Sequence, residues 1–341
     1  MGVSTPAFTV VSPAYFEPEI IMPYAQASGA FDLIENGGPR VRLSDGDLSV
    51  YMKRMDVRTQ MEAGTAAPNQ LPGVNIVMSM IQTPTYLLRV RAEYDHHDQA
   101  AAGRWDFALP EAYRLGMRQG HFQLARNALL YGFNPQYGEG LLNAAGATAI
   151  NLPPDSNGHD TVVTYDNGEM AFFLASQFSA LKTRTNQLGT GREFTICGPQ
   201  RVLSQFEYQG IVQVVQFQRV GAGSESTAGV VKSILMANGD KLLWTYDDTL
   251  IGKGSGGTDA VIITMPKLEK PRTMNAINTN VFADLKPGFN ACTLMYSDMA
   301  APREIMAPLP GGATDVVSEW RITSGWAPRP EAVTIVSMQY D

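Results

Sequence analysis

The chain has 341 residues, 44% hydrophobic and only 17% charged, with a formal net charge of -7. That is enough chain for one large domain or two modest ones around a sizeable core, and it is too apolar for a disordered protein. With 26 basic residues against 33 acidic ones and no Lys/Arg run, a basic nucleic-acid-binding surface is excluded; so is a membrane helix, because no apolar run reaches the ~20 residues one needs.

Met1 to Val11 carries no positive stretch ahead of an apolar one, so no secretory signal is expected there. Residues 1–48 are predicted to be an extended arm. The segment Phe16 to Tyr24 alternates prolines with large apolar groups, which blocks both helix and central strand. Such an arm must lie on another surface.

Residues 49–94 are predicted to form a long two-stranded ribbon. Its first strand runs near Ser49–Met61, its tip is the small, polar segment 62–73, and it returns as Val74–Met80 and then Thr85–Tyr94. A ribbon this long is not stable alone in water and needs a partner surface. Residues 95–98 are expected to be a solvated turn. A helix is predicted over 110–133, with Pro110 and Glu111 in its first turn, an apolar face of Leu115, Phe122, Ala125 and Leu129, and Gly132 as its stop. Arg114 and Arg118 carry like charge at i,i+4 and are expected to splay to solvent or a partner. Gly116 and Gly120 cost about 1 kcal/mol each relative to Ala and would let another backbone approach.

A second helix is predicted near Glu169–Leu188, capped by Asn167, burying Phe173, Phe178 and Leu181 and ended by Gly189. A strand Glu193–Cys197, a Gly198-Pro199 break and a helix Gln200–Tyr208 follow. The remainder is predicted as strands: Ile211–Arg219, Val230–Ala237, Lys241–Tyr246, Ala260–Met265, Ala291–Tyr296, Glu319–Thr323 and Ala332–Met338. The glycine cluster 221–229 is expected to be a mobile surface loop, and 252–257 a turn between strands. The two cysteines, Cys197 and Cys292, are expected as buried thiols, and no CxxC pair offers a thiolate zinc site.

Reactive constellations are few. Asp95-His96-His97-Asp98 invites a metal reading, as in a metal-dependent enzyme, but adjacent residues on an extended segment point to opposite faces and would not share one ion. His121 is expected to pack inside its helix, and His159 to sit in a polar turn. Asp155, Asn157 and Asp160 suggest calcium, yet no glutamate stands at the twelfth position of an EF-hand loop. The segment Gly252 to Thr258 lacks the GxxxxGK[ST] order of a phosphate cradle, and no GxSxG elbow is present. Trp105, Trp244, Trp320 and Trp326 lack the spacing of a stacking platform. No catalytic, cofactor-binding or metal-binding residue is assigned, no cofactor is expected, and the chain is read as a non-enzyme. The positive signals are an arm, a ribbon, a long helix and a low surface charge, all of which leave surface for a neighbouring subunit to cover.

Three stretches carry a family resemblance. Arg126-Asn127-Ala128-Leu129-Leu130-Tyr131-Gly132-Phe133-Asn134-Pro135 leads into Gly138-Glu139-Gly140-Leu141-Leu142-Asn143. The helix Met170–Leu188 leads through Phe194-Thr195-Ile196-Cys197-Gly198-Pro199 to a short helix, and the chain closes on Trp320 to Val333, including Arg329-Pro330-Glu331-Ala332. In that order and spacing they resemble the major capsid proteins of tailed bacteriophages with the Hong Kong 97 capsid fold, over nearly the whole chain.

That resemblance implies an α+β fold with an N-terminal arm (1–48), an extended E-loop ribbon (49–98), a peripheral domain with a long spine helix (99–145), an axial domain (146–265) and a return to the peripheral domain with a final strand (266–341). It implies a virion subunit, assembled in the host cytoplasm, that forms the hexamers and pentamers of an icosahedral shell around packaged double-stranded DNA, without sequence-specific contact and without a membrane. Implied partners are a portal protein, a separate scaffolding protein and a decoration protein. The arm begins almost at Met1, so no fused scaffolding segment is expected, and scaffolding is expected either from a separate protein or not to be needed. Lys53 is the only lysine in 49–98 and lies near the ribbon base, so the lysine–asparagine cross-link of some relatives is not expected. Alternatives are an encapsulin-like compartment shell, which shares the fold, and a tail or baseplate subunit.

Overall fold

A computed structural model describes residues 28–59, 74–104, 107–187, 189–208, 210–211, 225–269 and 291–341. Its elements in chain order are β1 (Ser49–Thr59), β2 (Val74–Asp95), α1 (His96–Gly103), α2 (Leu109–Tyr131), β3 (Thr148–Asn151), α3 (Asn167–Arg184), β4 (Glu193–Gly198), α4 (Gln200–Tyr208), β5 (Gly210–Ile211), β6 (Glu225–Ser226), α5 (Thr227–Ala237), β7 (Lys241–Tyr246), β8 (Asp259–Thr264), β9 (Arg303–Pro308), β10 (Ala313–Thr323) and β11 (Val333–Met338).

The mixed sheet β3-β11-β8-β4-β7 is a wall between two cores. Strands β8 and β11 are buried along their whole length, which is why they are rich in Ala, Val and Ile and hold their few polar residues, Asp259, Thr264, Thr334 and Ser337, out of water. Successive side chains alternate between the two faces. Val261, Ile263, Val336 and Met338 join Phe178, Leu181, Phe194, Leu203, Phe206 and Val231 beneath α3, α4 and α5. Ala260, Ile262, Val333 and Ile335 join Leu33, Ala125, Leu129, Leu130, Leu141 and Ile322 at the end of α2. A single pattern of residues thus seals the sheet from both sides.

The second sheet, β1-β2-β10-β9, is antiparallel. Its organiser is the 22-residue β2, a single strand where a broken return was predicted. Val74 to Pro84 pairs with β1, and Thr85 to Asp95 pairs with β10. Pro84 stands at the changeover, where a missing backbone N–H is tolerated. Against the inner half of β2 packs α2, through Met117 between Ala92 and Val316.

Several expectations are corrected. Val230–Ala237 is not a strand but most of α5. Its β-branched pair favours a strand, yet the Ser226 hydroxyl accepts a hydrogen bond from the Gly229 N–H, and Ala228, Val231 and Leu235 recur on one buried helical face. The loop expected at 221–229 is, in its described part, β6 and the first turn of α5. Ala291–Tyr296 forms no ladder; Cys292 bridges to Lys267 while Met295 bridges to Trp326, so its two ends have different partners. The turn expected at 95–98 is the start of α1. Helix α3 begins at Asn167 and is capped by Asp166, whose carboxylate accepts from the N–H groups of Gly168 and Glu169. Leu115 and Phe122 lie on the exposed side of α2; its buried face includes Met117, His121, Ala125 and Leu129.

Residues 28–34, at the end of the expected arm, belong to the chain's own core. Ala30 and Leu33 are fully buried, and the Phe31 ring lies 5.6 Å from both Phe122 and Tyr296. The rest of that arm, the ribbon tip at 62–73, the strand expected at 212–219 and Trp105 lie outside the described residues.

Candidate assembly surface

The ribbon is rooted and then exposed. At its root Val50, Met52 and Ile81 pack on Cys292, Met295 and Trp326, and Thr83 is buried. Further out, β2 from Val74 onward has β1 as its pairing partner. At ~3.3 Å per residue, those eleven paired positions extend roughly 35 Å. Directly opposed residues of an antiparallel pair share a face, so Ile76, Met78, Met80 and Tyr51 lie on one side of the ribbon. They are 56%, 70%, 68% and 61% exposed. The run Ile76, Met78 and Met80, with Tyr51 across from it and Lys53 and Gln82 on the same face, puts large apolar side chains in water on the ribbon, the kind of surface that marks a contact. Lys53, paired in register with Met80, sits midway along β1 and is exposed.

The sheet edge offers a second exposed surface. Every residue of β9 is exposed, including Ile305 and Met306, and its outer edge has no strand paired to it among the described residues. The charges around it are paired within the chain: Arg89 with Glu319 at 2.8 Å, Arg91 with Asp315 at 2.8 Å, and Arg114 of α2 with Glu304 of β9 at 3.2 Å. Arg114 is therefore a tie between helix and sheet, while Arg118 is exposed as expected. A side chain at Gly116 or Gly120 would meet nothing within 4 Å among the described residues, so these glycines lie on the open side of α2. Among the described residues no helix is long and apolar enough to cross a membrane.

The turn after α2 holds ribbon, helix and C-terminal strand together. Gly132 ends α2 at φ +70°, and Gly140 takes φ +86°. A Cβ on Gly140 would lie 2.3 Å from the Tyr131 carbonyl carbon, and one on Gly325 would lie 2.2 Å from the Leu129 oxygen. Three backbone segments thus pass at a distance only glycine permits. In their midst Glu139, 7% exposed, accepts from the Tyr86 hydroxyl at 2.7 Å, the Ser324 hydroxyl at 2.7 Å and the Asn134 N–H at 3.0 Å. Burial and the Glu139 carboxylate push the Tyr86 phenol up to about 12, so it stays a neutral donor. Glu139, Tyr86 and Ser324 were not foreseen from sequence; an acid inside an otherwise apolar glycine turn was the one available signal.

The chemistry-bearing residues considered earlier are dispersed. His121 is buried, its Nε2 3.0 Å from the Ser318 hydroxyl and its ring edge-on to Trp320. Burial pushes its pKa down. His159 Nδ1 meets Asp155 at 3.1 Å, and Asp155 also accepts from the N–H groups of Asn157, His159 and Asp166, which spends its carboxylate on a loop. The segment 252–258 is a turn fastened by Gly252 N–H to Asp259 and Ser255 N–H to Ser337. Cys197 and Cys292 are both buried thiols, and burial pushes each up to about 12. His96 and His97, expected on opposite faces, instead share one side of the first turn of α1.

No protein-family model matches this chain, and no curated protein is similar to it. Solved structures are. The capsid of Myoviridae Phage XM1 superposes with a TM-score of 0.67 at 11% identity, covering 95% of this chain and 96% of that one. The capsid of the native GTA particle gives 0.58 at 11% identity, covering 96% and 95%, and a chain of Microbacterium phage Oxtober96 gives 0.57 at 12%, covering 96% of each. This chain has the Hong Kong 97-like capsid fold. Coverage runs nearly end to end on both sides, so the capsid fold accounts for the ribbon, the long helix and both sheets together. At this level of identity the likeness resides in the backbone, which explains why no sequence comparison registers it.

Proposed function

We propose that this chain is the major shell subunit of a virion capsid, forming the hexamers and pentamers of an icosahedral shell around packaged double-stranded DNA. The observation that carries the proposal is the set of exposed apolar residues Ile76, Met78, Met80 and Tyr51 on the ribbon, in a chain that aligns with a capsid structure over 95% of its residues. Surface of that kind costs free energy in water and gains it when a neighbouring copy covers it. Its function is assembly, with no catalytic turnover. The DNA is confined without sequence readout, in keeping with the net charge of -7.

On this reading residues 1–48 are the arm, 49–98 the E-loop, 99–145 the peripheral domain with α2 as spine, 146–265 the axial domain and 266–341 the return. A portal protein at one vertex, a separate scaffolding protein and an outer decoration protein complete the partner set.

Negative-stain imaging of the purified chain tests the proposal, with closed icosahedral shells expected. Monomers or open tubes at concentrations that assemble related subunits would overturn it. Shells filled with host protein and devoid of nucleic acid would replace the DNA container by a protein compartment.

A further inference from the structure

The junction of β2 and α1 carries a cluster of metal-ligating side chain types apart from the apolar stripe of the ribbon. Asp95 ends β2 and caps α1, and His96 and His97 open that helix. One donor atom from each of the three lies within 4.8 Å of the others. The two imidazole rings are 3.9 Å apart between centroids and tilted by 40°, so the two histidines lie side by side.

The His96 ring is held by two elements that are distant in sequence. Asp95 Oδ1 lies 2.6 Å from His96 Nδ1, so a carboxylate donor and an imidazole donor already stand side by side. Behind the ring runs the turn between β9 and β10. A Cβ on Gly312 would lie 2.8 Å from His96 Nδ1, so the glycine, at φ +89°, allows that turn to seat the ring. The His96 and Asp95 side chains remain 58% and 40% exposed, so an ion in solution can reach them.

We propose that Asp95, His96 and His97 form a binding site for a divalent transition-metal ion of the Zn²⁺ or Ni²⁺ class. Two imidazoles and one carboxylate suit a borderline ion and not Mg²⁺ or Ca²⁺, which call for more oxygen donors. The positive end of α1 opposes a cation, and Asp95 and Asp98 in the same turn offset it with two carboxylates. Open coordination positions take water. The site is independent of the capsid reading.

The test is titration of the purified full-length chain with Zn²⁺ and with Ni²⁺ against a chromophoric chelator. One saturable site per chain is expected. His96→Ala and His97→Ala each abolish it; Asp95→Asn, which still caps the helix, weakens it about 10- to 100-fold. Gly312→Ala leaves all three donors in place but crowds His96, and weakens binding by roughly tenfold or more. Circular dichroism confirms that each variant is folded. Equal binding by the wild type and the His96→Ala/His97→Ala double variant would overturn the proposal, as would the absence of saturable binding.

Discussion

Glu139 accepts hydrogen bonds from three donors in a place water scarcely reaches, so removing its side chain strands all three. Glu139→Ala is expected to cost about 3 kcal/mol in chemical denaturation, at the upper end for buried donors left unsatisfied, and Tyr86→Phe about 1 kcal/mol. Gly140→Ala is more severe still, because the new methyl would enter the Tyr131 backbone at a left-handed φ; a drop of ~4 kcal/mol or failure to fold is expected. His121 makes stability depend on pH. Burial favours its neutral form in the folded chain, so its folded pKa lies below the unfolded value near ~6.5. The unfolded state then binds more protons as pH falls through ~6.5, and stability is lost in that direction. Denaturation midpoints measured between roughly pH 7.5 and pH 5 should fall for the wild type, and less steeply for His121→Gln.

At the scale of elements, the ribbon separates folding from assembly. Met78 and Met80 are mostly exposed in the isolated chain, so Met78→Glu with Met80→Glu should leave its unfolding free energy within about 0.5 kcal/mol per substitution. The same pair of charges on the apolar stripe would have to be buried against a neighbour, and sedimentation should show unassembled subunits. A variant that still forms shells would remove the ribbon stripe from the interface. Helix α5 is the element where local sequence misleads. Val230 and Val231 have strand propensity, but a capped first turn and a buried face at helical spacing outweigh it. Ser226→Ala should therefore destabilise by about 1 kcal/mol through loss of the cap. The ribbon strands, α2, α4, β7 and β11 were legible because their apolar periodicity or bounding breakers are strong. β3, β9 and α1 were not: β3 is a short edge strand, β9 has no buried side chain, and α1 is eight residues with little apolar pattern.

For the whole molecule, the distribution of charge is the main consequence of low charge content. Much of the charge on the β1-β2-β10-β9 sheet and α2 is tied in pairs within the chain, and the ribbon presents large apolar side chains outward beside Lys53 and Arg54. Association through such surface is weakly screened by salt, and covering it stabilises the subunits that form it. Assembled shells should accordingly unfold at a higher temperature than the Met78→Glu/Met80→Glu chain, by calorimetry at equal protein concentration. Sequence alone determined that this is a core-rich, weakly charged chain with a ribbon, a long helix ending at Gly132 and strand-rich C-terminal segments, because composition and periodicity are local quantities. Only the tertiary structure decided that residues 28–34 join the core, that β2 serves two partners in succession, that Glu139 binds three segments, and that Asp95, His96 and His97 converge. The first three depend on which distant segments meet, and contact between distant segments leaves no period in a sequence; the last depends on a helix starting at His96, which a short and weakly apolar segment does not announce.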